Sequence, residues 1–510
     1  MPSFDRSTPT VDLNNYIIEH DVLSRVPEQL ARQHKLIPLF RIRDSLTIAI
    51  SDPTNIIAVD ELRAVSGCDI QVLKADESSI IIAIEQNYNV DNYIEEIVKE
   101  LEGMSADFIH DKKIDPSRLQ KIVDEPPVIK MVNLIIFQAL KDRASDIHIE
   151  PAEKKIMIRL RIDGVLHTMI SLPADLEMPI VSRIKVISKM DIIESRRPQD
   201  GHFAMKMGER EIDVRVSTFP VNFGEKVVMR ILDRSVAFLK LEKLGFSEEN
   251  QRKFEEMIRK PYGIILVTGP TGSGKTSTLY ASLNKINAKD KNIVTLEDPR
   301  EYLLEGINQG EVNTSIGFTF ASGLRSILRQ DPDVIMIGEI RDAETVQIAM
   351  RAALTGHLVL STLHTNDAAG AVTRLIDMEV EPFLISSTVI GVLAQRLVRA
   401  ICPGCKEEYQ PSEDVIVKLG LAKDAKVKLC RGKGCLQCRQ TGYKGRIGIF
   451  ELLEINDQVR ARINDHSSTM DIKQAAQNSG MKTLAQDGFD KALKGLTTPE
   501  EVFRVAYIDE

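Results

Sequence analysis

The chain is predicted to be an α/β protein built around a parallel sheet, and three observations predict it. From about Tyr262 onward, continuous apolar strands ("GIILVTG", "IVTLED", "VIMIGE" and "HLVLSTLH") alternate with helical segments, the pattern of a parallel sheet covered on both faces. Between the first of these strands and the next helix lies "GPTGSGKT", Gly269 to Thr276, which matches the eight-residue phosphate loop in full. Ahead of it, the segment from Val128 to about Asp233 reads as a separate α+β unit. It begins with a helix, "VIKMVNLIIFQALKDR", followed by the alternating strands "SDIHIEP", "KIMIRLRIDG", "HFAMKM", "EIDVRVSTFP" and "KVVMRILD".

A chain of 510 residues exceeds one core and implies roughly three domains at about 150 residues each. Residues 1–90 mix amphipathic helix with short strands ("SRVPEQLARQHKLIPLF", "SLTIAIS") around a "DPTN" turn, as a small α/β domain does. Residues 91–125 are charged and partly helical and read as a linker ending at the Pro126–Pro127 pair. The expected order is then an α+β domain over 126–237, the parallel-sheet core over 243–398, a cysteine module over 399–445 and a helical region over 446–510.

Composition narrows the class. Apolar residues at 43% and charged residues at 27% suit a globular protein and exclude a disordered or fibrous one. A net charge of −8 supplies no whole-molecule attraction to nucleic acid or anionic lipid, so no nucleic-acid partner is expected. The start "MPSFDRSTPTVDLNNY" lacks a basic segment followed by an apolar core, and the apolar run "FLISSTVIGVLA" from Phe383 stops at Gln395 and Arg396. That run is far short of the ~20 residues a bilayer requires. A cytoplasmic chain is expected.

The phosphate loop comprises Gly269, Pro270, Thr271, Gly272, Ser273, Gly274, Lys275 and Thr276. Its glycines let backbone N–H groups turn toward phosphate oxygens at a helix N-terminus, Lys275 reaches the β and γ phosphates, and Thr276 supplies a hydroxyl to magnesium. Two strand ends add carboxylates: Glu297 and Asp298 in "IVTLEDPREY", and Glu339 in "VIMIGEIRD", where an aspartate would be usual. In a parallel sheet those ends line the ligand crevice. Glu339 is placed to activate or orient water, while Glu297 or Asp298 can hold magnesium through a water or polarise that water. "TGHLVLSTLHTND" carries His357 at the start of its strand and His364 at the end. His364 shares the edge with the other groups and can sense the γ-phosphate, whereas His357 reads equally well as a hydrogen-bonded structural histidine.

"CPGC" at 402–405 and "CLQC" at 435–438 are two CxxC pairs separated by 29 residues. Cys402, Cys405, Cys435 and Cys438 would hold zinc with no open coordination position, so the site should be structural. Residues 426–446 contain seven Lys or Arg and no acid, which would offset the net −2 of a tetrathiolate zinc centre. The alternative use of that basic knob is contact with anionic lipid or an acidic membrane partner. Cys68 and Cys430 fall outside the scheme and read as plain thiols.

Taken together, "GPTGSGKT", "LEDPREY", "LRQDPDVIMIGEIRDAET" and "TGHLVLSTLHTND" resemble the type II secretion and type IV pilus assembly ATPases, over residues 126–510. The resemblance implies a RecA-like core preceded by a PAS-like clamp domain, and ATP, Mg2+ and Zn2+ as cofactors. In that family the second acidic box ends in glutamate, which makes Glu339 the catalytic carboxylate here, assisted by Glu297, with His364 in a histidine box. It also uses arginines of the preceding domain on the phosphates, at Arg215 in "DVRVST" and Arg230 in "VVMRIL"; from the residues alone these could equally be surface charges on half-buried strands. A homo-hexamer at the cytoplasmic face of the inner membrane is implied. "LARQHKLIPLF", "IAISDPTN" and "ELRAVSG" resemble the family's N-terminal domain, which docks on inner-membrane platform proteins. Relatives that bind cyclic di-GMP do so through a repeated Leu-Gly-rich motif ahead of this region, and no good copy is apparent. A nucleic-acid motor is the rival reading, and net charge weighs against it.

Overall fold

The computed structural model describes residues 9–11, 13, 16, 18, 20–23, 25–88, 97, 100–101, 123–207, 210–233, 240–423 and 425–506. Most of the expected linker over 91–125 lies outside the described residues. Contacts divide the chain into two compact units, Met1–Arg234 and Ser235–Glu510.

Among the described residues the first unit contains two sheets. β1 (Leu36–Ile42), β2 (Ser45–Ile50) and β3 (Asp69–Lys74) form a three-stranded sheet in that order. The helix Ile56–Ser66 is capped by the Asn55 side chain, which accepts from the Ala58 amide, and closes at Gly67 in the left-handed conformation. The second sheet has six strands, ordered β6–β5–β4–β9–β8–β7: β4 (Asp146–Pro151), β5 (Lys155–Ile162), β6 (Val165–Pro173), β7 (Gln199–Met207), β8 (Arg210–Val221) and β9 (Gly224–Asp233). All its pairings are antiparallel.

Two periodicities bury one face of that sheet. In the helix Pro126–Lys141 the buried Val128, Met131, Val132, Ile135, Ile136 and Ala139 recur at three- and four-residue spacing. They share a core with Ile147, Ile149, Ile158, Leu160, Val214, Val216, Val227 and Met229, the alternate residues of β4, β5, β8 and β9. The intervening residues, among them Asp146, Arg159, Arg161, Arg215 and Arg230, take the other face. β6 is half-exposed along its length, which is why apolar patterning does not mark it as a strand.

The second unit is a seven-stranded sheet, ordered β12–β11–β13–β14–β10–β15–β18. Its strands are β10 (Gly263–Thr268), β11 (Ile293–Glu297), β12 (Asn308–Glu311), β13 (Val334–Ile337), β14 (Leu358–Leu363), β15 (Val389–Ile401) and β18 (Tyr443–Glu454). The first six run parallel and β18 joins β15 antiparallel. Every residue of β10, β13 and β14 is buried. Each fully buried Val, Leu or Ile contributes about 1.5–3 kcal/mol relative to exposure, and truncating Leu266 to alanine would cost about 2–5 kcal/mol.

The apolar run from Phe383 is divided by its backbone. Residues Pro382–Thr388 form a helix with proline in its first turn, and β15 begins at Val389. Between β15 and β18 the chain makes the two-stranded sheet β16 (Lys406–Tyr409) and β17 (Leu429–Gly432). β15 and β18 run through the expected boundaries at 398/399 and 445/446, so the cysteine segment grows out of two core strands. After β18 come, among the described residues, the helices Asp457–Asn464, Thr469–Asn478, Leu484–Leu493 and Pro499–Val505.

Candidate active site

The parallel order brings the carboxyl ends of β11, β13, β14, β10 and β15 side by side, and the segments leaving them carry the candidate residues. The phosphate loop leaves β10 at Thr268 and enters the helix Lys275–Ile286. Gly274 caps that helix with φ +88°, and a Cβ there would meet Gln395 Nε2 at 2.8 Å, so glycine answers both the backbone and the space. Thr276 is exposed in the first turn and Ser273 is buried. Lys275 Nζ donates to the carbonyls of Gly269 (2.7 Å) and Pro270 (3.1 Å). Burial holds its ammonium down to about 8, opposed by Glu339 and reinforced by Arg396.

Glu339 follows β13 and His364 follows β14, its neighbour in the sheet. Glu339 Oε2 lies 3.2 Å from His364 Nε2, and Oε1 accepts from Arg341 Nη2 at 2.5 Å. Burial pushes the Glu339 carboxyl up, but Arg341 and His364 outweigh it and hold the group below the usual carboxylate range. Arg341 Nη1 also lies 3.9 Å from Asp298 Oδ2. Arg341 carries no signal in the sequence, because an arginine four residues beyond a strand has no evident partner on the next strand until the strand ends are adjacent.

Glu297 ends β11, paired with β13, but its carboxylate is spent inside the protein. Oε2 accepts from the Tyr280 hydroxyl, and Oε1 accepts from Thr295 Oγ1 (2.6 Å) and Gln309 Nε2 (3.0 Å). Of the two acids in "LEDP", Asp298 is the exposed one. His357 sits at the opposite end of β14, its Nδ1 2.9 Å from the Ala352 carbonyl oxygen, so the two histidines belong to different ends of the sheet.

Arg215 and Arg230 are brought together in the first unit, directly opposite each other on β8 and β9. Arg230 Nε donates to Asp146 Oδ1 at 3.1 Å.

The four cysteine sulfurs all lie within 4.8 Å of one another, with Cys402–Cys435 at 3.8 Å, Cys405–Cys438 at 3.7 Å and Cys435–Cys438 at 3.7 Å. A tetrahedron with zinc–sulfur bonds of ~2.3 Å has edges of about 3.8 Å, so the donor set fits zinc. The amides of Cys435 and Gly442 point at Cys438 Sγ (3.2 and 3.3 Å), as partners of a thiolate would. Part of the basic run is neutralised locally: Lys428 pairs with Glu408, and Arg431 and Lys433 pair with Glu407, across the antiparallel pair β16–β17.

Comparison with known proteins agrees with this geometry. The profile of the family described as Type II/IV secretion system protein matches residues 121–504, and that of the MshEN domain matches residues 6–92. The chain is 45% identical to the type IV pilus assembly ATPase PilB of Myxococcus xanthus, covering 97% of this chain and 88% of that protein. It is 46% identical to the type II secretion system protein E of Pseudomonas aeruginosa, covering 94% and 96%. Among solved structures, the pilus retraction motor PilT with bound ADP superposes with a TM-score of 0.52 at 27% identity, over 73% of this chain and 96% of that one. The ATPase DotB of Legionella pneumophila shares the fold, with a TM-score of 0.55 at 21% identity over 75% and 97%. With the family profile spanning most of the chain and relatives near 45% identity along almost its whole length, the chain belongs to the type II/IV secretion system protein family.

Proposed function

We propose that this chain is the Mg2+-dependent ATP-hydrolysing motor of a type II secretion system, working as a homo-hexamer to drive pseudopilus assembly and protein export. The observation that carries the reading is the gathering of the phosphate loop, Glu339 and His364 at the carboxyl ends of adjacent parallel strands. Lys275 and the loop amides bind the β and γ phosphates, and Thr276 would hold magnesium, whose charge screens the phosphates when bound. Glu339 accepts the proton of the attacking water, His364 keeps that carboxylate oriented, and Arg215 and Arg230 neutralise the phosphate oxygens. Glu297 assists from within the core, tying the helix after the phosphate loop to β11 through Tyr280. The four cysteines would hold a structural zinc.

The N-terminal α/β segment is assigned the docking role, on inner-membrane platform proteins, and the matched MshEN domain supports this. Among the described residues no helix is long and apolar enough to cross a membrane, which is compatible with attachment at the cytoplasmic face through partners. A second reading, the type IV pilus assembly motor, is favoured by the pilus relative that covers 97% of the chain. Complementing a deletion strain with the wild-type gene or Glu339→Gln separates the two. Restored export of folded proteins, lost with Glu339→Gln, supports the first; restored surface pili without export assigns the second.

A further inference from the structure

In the sequence Gln395 and Arg396 are the polar residues that end an apolar run. In the structure they flank the phosphate loop. β15 runs parallel to β10 with Ala394 opposite Thr268, so the next residues of one strand meet the first residues beyond the other. A Cβ on Gly269 would meet the Gln395 carbonyl oxygen at 2.5 Å and Arg396 Nη1 at 3.0 Å. Gln395 Oε1 accepts from Thr278 Oγ1 at 2.6 Å, on the helix that follows the loop, and both residues are buried.

Arg396 is buried as well. A guanidinium removed from water needs partners, and among the described residues it finds carbonyl oxygens. Nη1 donates to Gln395 O (3.1 Å), and Nη2 donates to Asn366 O (2.8 Å) and Asn366 Oδ1 (3.3 Å). Asn366 lies two residues after His364, whose ring bonds Glu339. Between them, Thr365 is tied to the end of β10: its amide donates to Thr268 Oγ1 at 2.8 Å and the two hydroxyls are 2.7 Å apart. The segment leaving β14 with His364 therefore crosses the carboxyl end of β10 and is fastened to β15 by one buried side chain.

We propose that Arg396 is a positioning residue of the nucleotide site, clipping the His364–Asn366 segment across the start of the phosphate loop so that His364 stays against Glu339. The planar fork is what the task requires, since it reaches two carbonyls of different segments at once; a lysine of similar length offers a single point charge. The proposal rests on the assignment of ATP hydrolysis to the phosphate loop and Glu339.

The test compares the full-length wild type with Arg396→Gln, Arg396→Lys, His364→Ala and the Arg396→Gln/His364→Ala double variant, with Glu339→Gln as control. For Arg396→Gln the expected result is a fall in kcat of about tenfold or more with KM and MgADP affinity held within about threefold. The double variant should turn over within about twofold of His364→Ala, because the clip acts through the histidine. Arg396→Lys retains the buried charge and one bond and should fall between, which keeps the test open if the glutamine variant folds poorly. Wild-type kcat in Arg396→Gln and Arg396→Lys, a parallel loss of MgADP affinity and melting temperature, or a fully active His364→Ala beside a crippled Arg396→Gln would each overturn the proposal. If Glu339→Gln turns over normally, the assignment of the site itself fails; if it is inactive while Arg396→Gln is normal, only the positioning role fails.

Discussion

Arg341 joins the acids that leave two neighbouring strands: one of its nitrogens lies 2.5 Å from Glu339 Oε1 and another 3.9 Å from Asp298 Oδ2. Glu339 thus meets a cation on one oxygen and a histidine on the other. A carboxylate so held is kept ionised and aimed, as a base that must accept a proton from water requires.

Glu339→Gln is therefore expected to bind ATP with near wild-type affinity and to hydrolyse it about 10²-fold more slowly or less, since the amide keeps the size and loses the basicity. Lys275→Ala should lose both binding and turnover. Nucleotide titration and phosphate release, measured on the two variants side by side, check this; normal turnover by Glu339→Gln would remove the catalytic assignment.

Metal analysis of the purified chain should find about one zinc per chain, and the Cys402→Ser/Cys405→Ser variant should contain almost none. Proteolysis should then cut between β15 and β18 while nucleotide binding persists, because the cluster lies outside the phosphate loop. Less than about half an equivalent of zinc in the intact protein would count against a tetrathiolate site.

If Arg215 and Arg230 act on the phosphates of a ring-forming chain as proposed, mixing tests which subunit supplies them, and supply within one chain is expected. Arg215→Ala and Lys275→Ala are each expected to be inactive, and rings assembled from both should stay inactive if one chain provides its own lysine and arginine. Recovery of ATPase activity in mixed rings above either parent would show that sites are shared between chains.

Glu501 gives the acid side of the stability curve. It is buried, and although burial pushes its carboxyl up, hydrogen bonds from Arg399 and Arg504 outweigh that and hold it at about 2. A carboxylate depressed by folding contributes stability that is complete above its unfolded value near 4.5 and is lost as pH falls toward 2. Thermal melts should show Glu501→Gln at least about 3 °C below wild type at pH 7, with the gap closing below pH 4. A gap that persists unchanged at pH 3 would assign the loss to packing instead.

Much of the site is legible in the sequence because its chemistry is local. A phosphate loop needs its glycines, lysine and threonine in one consecutive turn between a strand and a helix, and a tetrathiolate needs cysteines paired at turn spacing. Glu339 and His364 are likewise readable, since each follows its own apolar strand and a parallel sheet puts such ends on one edge. The resemblance to a known family, and not spacing, is what singles out Arg215 and Arg230 from other charges on half-buried strands.

What tertiary structure alone decided depends on pairing between distant segments. The register of β15 against β10, set by residues more than a hundred positions apart, is what carries Gln395 and Arg396 to the phosphate loop, and no local pattern encodes it. The same holds for Arg341, which gains a role once β11 and β13 are neighbours, and for Glu297, whose carboxylate is claimed by Tyr280, Thr295 and Gln309. It holds also for β18, which closes on β15 from across the cysteine module. A strand's own residues report that it is buried; which strands it lies between, and therefore which side chains share its end, is settled by the packing of the whole sheet.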